Sequence, residues 1–426
     1  MKFTKALKYI ILFLQLLIFG CECKNFDAIN KVIESFSSDE DPNKKEIITS
    51  FNTSSTAPPP VAIMMQGNQK SPAPPPKTKT ACMDFQDDRI NHGELVVFVD
   101  SVNGKSDNSG ESWEKAVNSI NIALARVVRN RAENLSKGNA IQPAFIAVAA
   151  GTYTHEHENK ISSLGDGKEM IALYGYTDPI LSNLIIAGGF LSGDKCSEVD
   201  KNKQYNANER KTIIDAQNNA SVLAIAEKGL TNIDIRDFTF INGAAKEVNV
   251  IAAKKDGGAI SLRGEDLDNI TFRNINIENS TAENNGGAVA ITGAGIGNVV
   301  FNGLSINNST ATQNGGGFYA SSGDIELNSI KITDNKSKNG GGLYIMANAS
   351  ITVAGKNNSI SENKISETNG AGIYINSDKN HSFDKLAVFK NTSENPANKA
   401  KLVGAGVYLE SNDPAIPIVI FTNSTI

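Results

Sequence analysis

The sequence predicts an all-β fold, a parallel β-helix built as a single-stranded solenoid, and two observations lead there. A Gly-rich phrase recurs beyond residue 230, with its first glycine at 257, 286, 315, 340, 370 and 404, so that successive copies are 29, 29, 25, 30 and 34 residues apart. Each copy also contains apolar residues with a period of two, which is typical of a strand with one buried side. Repeats of this length indicate units that bury their apolar sides against one another.

Each unit of about 30 residues contains three such strands. The Gly-rich strand has two inward columns, both apolar throughout: Ile260, Val289, Phe318, Leu343, Ile373 and Val407, and Leu262, Ile291, Ala320, Ile345, Ile375 and Leu409. The second strand carries the pairs Ile233/Ile235, Ile270/Phe272, Val299/Phe301, Ile325/Leu327 and Ile351/Val353. The third carries Phe238/Phe240, Ile275/Ile277, Leu304/Ile306 and Ile330/Ile332. We expect equivalent residues of successive units to lie on top of one another, about 4.8 Å apart.

An asparagine follows the third strand of the units, at residues 242, 279, 308, 335, 363, 391 and 423. A buried amide without a partner costs about 1–3 kcal/mol. We therefore expect these asparagines to form a continuous ladder of amides at one corner, or to face solvent.

The start of the chain predicts an exported lipoprotein. Residues 1–20 have the layout of a signal peptide, with three lysines followed by an apolar run that is too short to span a bilayer comfortably. Ile18-Phe19-Gly20-Cys21 resembles the bacterial lipobox, which implies acyl chains on Cys21 and attachment to a membrane. Residues 21–80 contain two proline triplets and no sustained apolar period, so we expect a disordered Pro-rich stalk.

The body then divides into residues 81–229 and 230–426. Strands are predicted at Leu95–Val99, Phe145–Val148 and Leu184–Ala187, and a helix over residues 115–135, where Ile120 and Leu124 fall on one face. We expect this helix to cap the open end of the solenoid.

At the repeats the sequence resembles the polymorphic outer-membrane protein repeats, marked by Gly-Gly-Ala-Ile and Phe-x-x-Asn. Gly257-Gly258-Ala259-Ile260 matches the first motif, whereas Ile332 to Asn335, Ile360 to Asn363 and Ile420 to Asn423 keep the spacing of the second with Ile in place of Phe. The resemblance implies the right-handed β-helix of the pectate-lyase-like fold and a surface-exposed, adhesin-like role. It covers residues 230–426, and no autotransporter barrel is recognisable in the sequence.

Several functional classes are disfavoured. The formal net charge of -5 argues against nucleic acid as a partner. The Gly-rich phrases lack the spacing of phosphate-binding loops, so no cofactor is predicted. His155-Glu156-His157-Glu158 is a weak transition-metal signal with no third ligand, and no metal site is predicted. The sequence leaves two alternatives for Cys82 and Cys196: a disulfide bridge between them, or isolated thiols.

The candidate binding residues are the outward positions of the Gly-rich strand, at Tyr319, Tyr344, Tyr374 and Tyr408. An exposed strip of these rings would bind a host glycan or protein. The alternative is a stacked column that stabilises the coil. The loops after Asn242 and Asn391 are longer than their equivalents and are further candidate contact sites.

Three functions follow from these observations. The first is a non-enzymatic, lipid-anchored adhesin or binding protein at the cell outer membrane or cell surface. The second is a carbohydrate-active β-helix enzyme, a polysaccharide lyase or glycoside hydrolase, for which Asp234 beside Arg236 and Arg273 is the nearest candidate cluster. The third is a passive surface coat.

Overall fold

The computed structural model describes residues 63–66, 94–158, 169–174, 180–190, 211–246, 255–367, 369–394, 405–410 and 419–426. All of them belong to one compact unit, Pro58–Ile426. Two helices are described, α1 Ile120–Ser136 and α2 His155–Glu158, together with a short 3-10 turn at Trp113–Lys115. Among the described residues, no helix is long and apolar enough to cross a membrane.

The described strands are, in chain order, β1 Ile63–Gln66, β2 Leu95–Val99, β3 Ala144–Ala149, β4 Gly151–Thr154, β5 Glu169–Leu173, β6 Leu184–Phe190, β7 Thr212–Asp215, β8 Ser221–Ile225, β9 Thr231–Ile241, β10 Ala244–Ala245, β11 Ile260–Leu262, β12 Asp268–Glu278, β13 Thr281–Ala282, β14 Val289–Ile291, β15 Asn298–Asn307, β16 Thr310–Ala311, β17 Phe318–Asn328, β18 Lys331–Thr333, β19 Lys336–Ser337, β20 Leu343–Ala354, β21 Asn358–Ser361, β22 Lys364–Ile365, β23 Ile373–Ser377, β24 His381–Asp384, β25 Leu386–Phe389, β26 Thr392–Ser393, β27 Val407–Glu410 and β28 Val419–Thr422.

The fold is all-β and solenoid-like, because parallel strands of successive units pair along the chain. Ladder A joins the Gly-rich strands, β5, β8, β11, β14, β17, β20, β23 and β27. Ladder B joins β2, β3, β6, β9, β12, β15, β17, β20, β24, β28 and β1. Ladder C joins β4, β7, β9, β12, β15, β18, β21 and β25. Six strands of two residues each lie between ladders C and A. They form a fourth ladder, D, made of β10, β13, β16, β19, β22 and β26.

The predicted register is confirmed. Ile260 pairs with Val289, Val289 with Phe318 and Phe318 with Leu343, so the inward column of ladder A is continuous. The pairs predicted for the second and third strands lie in ladders B and C and are buried with ladder A in one apolar cluster. Each large aliphatic side chain that is fully buried stabilises the fold by about 1.5–3 kcal/mol, so these columns supply most of the core.

The predicted helix is present but shorter. Helix α1 begins at Ile120, since Val117 forms a bridge to Val99 of β2 instead of entering the helix. Its buried side includes Leu124 and Val127, and it packs against β2, β3 and β5. The strands predicted before residue 190 are found as β2, β3 and β6.

Strand β1 lies within the segment predicted as a stalk. It extends ladder B beside β28, with Ile63 opposite Val419. The rest of residues 21–80 lies outside the described residues, as do residues 1–20 with Cys21, the cysteines at 23, 82 and 196, and most of the loops after Asn242 and Asn391.

The asparagine column is corrected by the structure. Asn242, Asn279 and Asn308 share a position with φ between 51° and 55° after ladder C, and that position is held by Asp334, Glu362 and Lys390 in later units. Asn335, Asn363 and Asn391 lie one residue further on and are buried. Asn423 belongs to another corner, between ladders B and C, because β28 is a ladder B strand. The sequence pattern therefore merged three positions into one.

Candidate functional site

The four tyrosines form a stack on the outer side of ladder A, named here the tyrosine stack. Their rings follow one another, with centroids 5.7 Å apart for Tyr319 and Tyr344, 4.4 Å for Tyr344 and Tyr374, and 5.0 Å for Tyr374 and Tyr408. The first three residues are only 6–7% exposed, and Tyr408 is half-buried. Of the two alternatives, the geometry is that of the stacked column, because three of the four rings are buried instead of forming an exposed strip.

The phenol groups of the stack are also engaged. Tyr319 Oη donates to Met346 Sδ at 3.2 Å, and Tyr374 Oη donates to the carboxylate of Glu410. Burial raises the pKa of Tyr319 to about 12 and raises the pKa of Tyr344 above its usual value. Whether these rings bind a partner stays a prediction, whereas their mutual packing is a property of the fold.

A groove lies at the corner where the chain enters ladder B. It has a volume of about 360 Å³ and crosses β3, β6, β9 and β12. Its rim carries the amides of Asn183, Asn232 and Asn269, and Ile185 lies on its floor. We call it the amide groove. Each of the three asparagines precedes an apolar strand residue and has φ between 53° and 57°, a conformation that Asn tolerates better than most residues.

The rim of the amide groove presents both donors and acceptors. The three asparagines are exposed, and Asn232 Nδ2 donates to Asn183 Oδ1 at 2.8 Å, which joins two of the three amides. Glu94 and Asp234 add carboxylates, and Thr271 adds a hydroxyl. Such a mixture of amides, hydroxyls and an apolar floor suits a polar ligand that offers several hydrogen-bonding groups.

The charged cluster predicted around Asp234 is adjacent to this groove. Arg273 pairs with Arg236 across β12 and β9, as predicted, and Arg273 Nε lies 3.4 Å from Asp234 Oδ1. Arg236 is buried and its guanidinium carbon lies 5.8 Å from the centroid of the Phe145 ring. Asp237 accepts a hydrogen bond from Asn274 at 2.9 Å, while burial raises its pKa. Asp234 is therefore held in an ion pair beside the groove.

The His-Glu-His-Glu segment has a structural role that the sequence did not indicate. It forms α2, and the carboxylate of Glu158 accepts from Ser119 Oγ at 2.8 Å and from the backbone N–H groups of Ile120 and Asn121 at 3.0 Å. It therefore caps the N-terminus of α1 from a distant part of the chain. In the described part of the chain, no three His, Cys, Asp or Glu side chains are grouped so that they could hold a metal ion.

Three further buried charged side chains were missed by sequence reasoning. The guanidinium of Arg131 donates to four backbone carbonyls, those of Gln142, Ile180, Ser182 and Asn183, at 2.6–3.0 Å. Arg263 NH2 lies 2.7 Å from Glu169 Oε1, and both side chains are almost fully buried. No period or motif marks these residues, because their partners are distant in sequence. The row of asparagines at 183, 232 and 269, by contrast, could have been found, since each directly precedes an apolar run.

Comparison with known proteins gives no relative: no family model, no curated protein and no solved structure matches this chain.

Proposed function

We propose that this chain is a non-enzymatic binding protein of the adhesin type, displayed at a cell surface by a lipid anchor. Its body would be a right-handed parallel β-helix with α1 as its N-terminal cap. The parallel pairing of successive units supports the coil, and right-handed crossovers between parallel strands are the rule in proteins. The polymorphic outer-membrane repeats that the sequence resembles supply the expectation of an adhesin.

The observation that carries the proposal is the amide groove. It lies across successive turns of a rigid stack, and it offers a row of exposed amides next to an apolar floor. Binding sites placed on rigid elements hold their polar groups in fixed positions, which lowers the entropic cost of binding. We therefore place the primary contact with a host glycan or protein at this groove.

The test is an array of glycans and matrix proteins probed with the full-length protein, followed by affinity measurements on variants. Asn232→Gly removes a rim amide while keeping a residue that tolerates the positive φ. Asn308→Gly is its matched control, because Asn308 is also exposed, has φ 51° and donates through Nδ2 to a neighbouring asparagine at 2.7 Å. It lies at the corner after ladder C and does not line the groove. We expect at least a tenfold loss of affinity for Asn232→Gly and no change for the control.

Two outcomes would count against the groove. Equal affinities for both glycine variants would place the contact elsewhere. A loss of affinity in Tyr344→Ala, measured at a temperature where the variant remains folded, would place the contact at the tyrosine stack.

The second candidate is a carbohydrate-active enzyme, favoured by the position of Asp234, Arg236 and Arg273 beside the groove. An acid and a base flanking a glycosidic bond would be required. Release of reducing ends or unsaturated products from polysaccharides, lost in Asp234→Asn, would establish this function. If the protein neither cleaved polysaccharides nor bound any ligand of the array, the passive surface coat would be the remaining function.

The proposed anchor is tested separately. Cys21 would carry the acyl chains, and the chain between Cys21 and β1 would hold the body away from the membrane. We expect incorporation of labelled palmitate into the wild-type protein and none into Cys21→Ser, which should move to the soluble fraction. A membrane-bound, unlabelled wild-type protein would contradict the lipid anchor.

A further inference from the structure

The outer side of ladder C carries lysines whose charge is not matched. Lys331 of β18 is exposed, and Lys356 is exposed at the corner between ladders B and C. Within the described residues, neither ammonium group has a carboxylate within 4.0 Å, the limit for an ion pair.

The lysines of ladder D and of the corner before it behave differently. Lys336 pairs with Glu394, Lys364 with Asp334 at 3.0 Å and Lys390 with Glu362 at 3.6 Å. Each of these three lysines has a carboxylate partner from another turn, one turn away for Lys364 and Lys390 and two turns away for Lys336. Within the described part of this set of units, Lys331 and Lys356 are therefore exposed cations without an ion pair and are available to an anionic ligand.

The groups around these two lysines form one continuous surface, named here the lysine face. Lys331 pairs with Ser359 and Ser359 with Ala387, so the three lie in one outward column that spans about 10 Å. Lys356, Ala387 and Thr425 line a groove of about 360 Å³, together with Lys385 and the amide side chains of Asn357 and Asn423. Lys385 is an ion-pair partner of Asp384 at 3.2 Å, so its charge is partly neutralised.

The lysine face also carries an exposed aromatic ring. Phe389 lies two residues beyond Ala387 on the same outward side of β25 and is 44% exposed, although most other phenylalanines of the described residues are buried. Serine and threonine hydroxyls continue the surface in the neighbouring turns, with Thr333 and Ser361 3.4 Å apart through their Oγ atoms. Cations, hydroxyls and one ring are thus presented together.

We propose that the lysine face binds an anionic polysaccharide, with its sulfate or carboxylate groups on Lys331 and Lys356 and one sugar ring against Phe389. Charge complementarity selects an anionic ligand, and the ring selects a saccharide over other polyanions, because an aromatic face packs against the apolar face of a sugar. The lysine face is distinct from the amide groove. The proposal for the lysine face can therefore be tested independently of the proposed primary contact.

The test uses dextran sulfate as the ligand, with uncharged dextran and poly-glutamate as comparisons, and the full-length protein at 0.15 M salt. We expect Lys331→Gln combined with Lys356→Gln to weaken binding of dextran sulfate at least tenfold. The matched control is Lys336→Gln combined with Lys364→Gln, which removes two lysines of the same units that are already ion-paired. We expect less than a twofold change for this control, because both of these lysines already have a carboxylate partner.

Phe389→Ser tests the role of the ring. We expect it to weaken binding of dextran sulfate several-fold while leaving the weaker binding of poly-glutamate unchanged. Because all five substituted side chains are exposed or half-buried, circular dichroism and the melting temperature should stay at their wild-type values.

Three results would overturn the proposal: no binding of dextran sulfate, equal losses in the two double variants, or equal affinity for dextran sulfate and poly-glutamate. The last would identify a non-specific polyanion surface. Loss of the array ligand in Asn232→Gly with unchanged dextran sulfate binding would show that the two sites are separate, as proposed.

Discussion

The turns before residue 230 and those after residue 255 are held together in different ways. In the first region, single buried charges anchor α1: Arg131 on four backbone carbonyls and Glu158 on the first turn of the helix. In the second, equivalent residues of successive turns bond to one another, as the amides of Asn335, Asn363 and Asn391 do at 2.9–3.0 Å. The irregular region thus depends on unique contacts, whereas the regular region distributes its stability over repeated ones.

The largest effect is expected for Arg131→Met. The substitution keeps much of the side-chain volume but removes the donor of two buried carbonyls, those of Ile180 and Ser182. At about 1–3 kcal/mol for each buried group left unpaired, the total cost is roughly 2–6 kcal/mol. We expect a fall of that size in the free energy of unfolding, measured by urea denaturation. Arg129→Met, at an exposed position of the same helix, is the control and should change stability by less than about 0.5 kcal/mol. Equal losses of unfolding free energy in Arg131→Met and Arg129→Met would mean that α1 is not anchored by Arg131.

A pH dependence is expected from Glu158. Burial raises its pKa to about 7, even though three hydrogen bonds to the carboxylate act in the other direction. Between the unfolded pKa near 4.5 and the folded pKa near 7, the folded chain binds more protons than the unfolded chain. The free energy of unfolding should therefore fall as pH rises through this window, by roughly 3 kcal/mol from this group alone, since each pKa unit is about 1.4 kcal/mol.

The matching measurement is urea denaturation at pH 5, 6, 7 and 8 for wild type, Glu158→Gln and Glu133→Gln. Glu158→Gln should be less stable than wild type at pH 5, and the difference should narrow as pH rises. Glu133 is exposed on α1, so Glu133→Gln should show the same change of unfolding free energy with pH as the wild type. A slope that survives in Glu158→Gln would assign the pH dependence to another group.

A smaller loss is expected for Asn363→Ala in the buried ladder. Its Oδ1 accepts from the backbone N–H and side-chain amide of Asn335 at 3.0 and 2.9 Å, so both donors lose a partner. We expect a cost of about 2 kcal/mol, because each buried group left unpaired costs about 1–3 kcal/mol and neighbouring turns can relax. Asn307→Ala, exposed in β15, should be nearly neutral. A cost as large as that of Arg131→Met would remove the distinction between the two regions.

The smallest expected effect is a gain in stability. Lys390 has φ 55° at the corner position that Asn242, Asn279 and Asn308 hold in earlier turns. Asn tolerates this conformation better than Lys, so Lys390→Asn should stabilise the protein by about 0.5–1 kcal/mol, and the exposed ion pair with Glu362 contributes little. Lys364→Asn, in a strand, is the control and should give no gain. The melting temperature is a sufficient readout.

Most of the solenoid-like fold could be predicted from the sequence, because its signal is repeated. The columns through Ile260 and Leu262, and the pairing of Arg236 with Arg273, follow from period two and unit length alone. The single asparagine ladder could not be predicted correctly, because Asn serves both as a buried amide at Asn335 and as a residue with positive φ at Asn308. A pattern of residue types does not separate these two uses when they are one position apart.

The candidate site was predicted less well, for a different reason. Alternation places Tyr344 and Tyr374 on the outer side of ladder A, and it does so correctly, but outward-facing is not the same as exposed. Neighbouring rings and the surrounding chain leave these side chains only 6–7% accessible. The amide groove depends on how the corners of consecutive turns align in space, which no single unit reveals.

The sequence by itself determined the parallel stacking, the register and the inward columns, since these are local choices repeated in every unit. Only the tertiary structure decided where the single buried charges find partners, which outward residues reach solvent, and which lysines lie beyond the reach of a carboxylate. The physical reason is that burial and pairing of a side chain depend on groups that are distant along the chain, and no residue pattern encodes those distances.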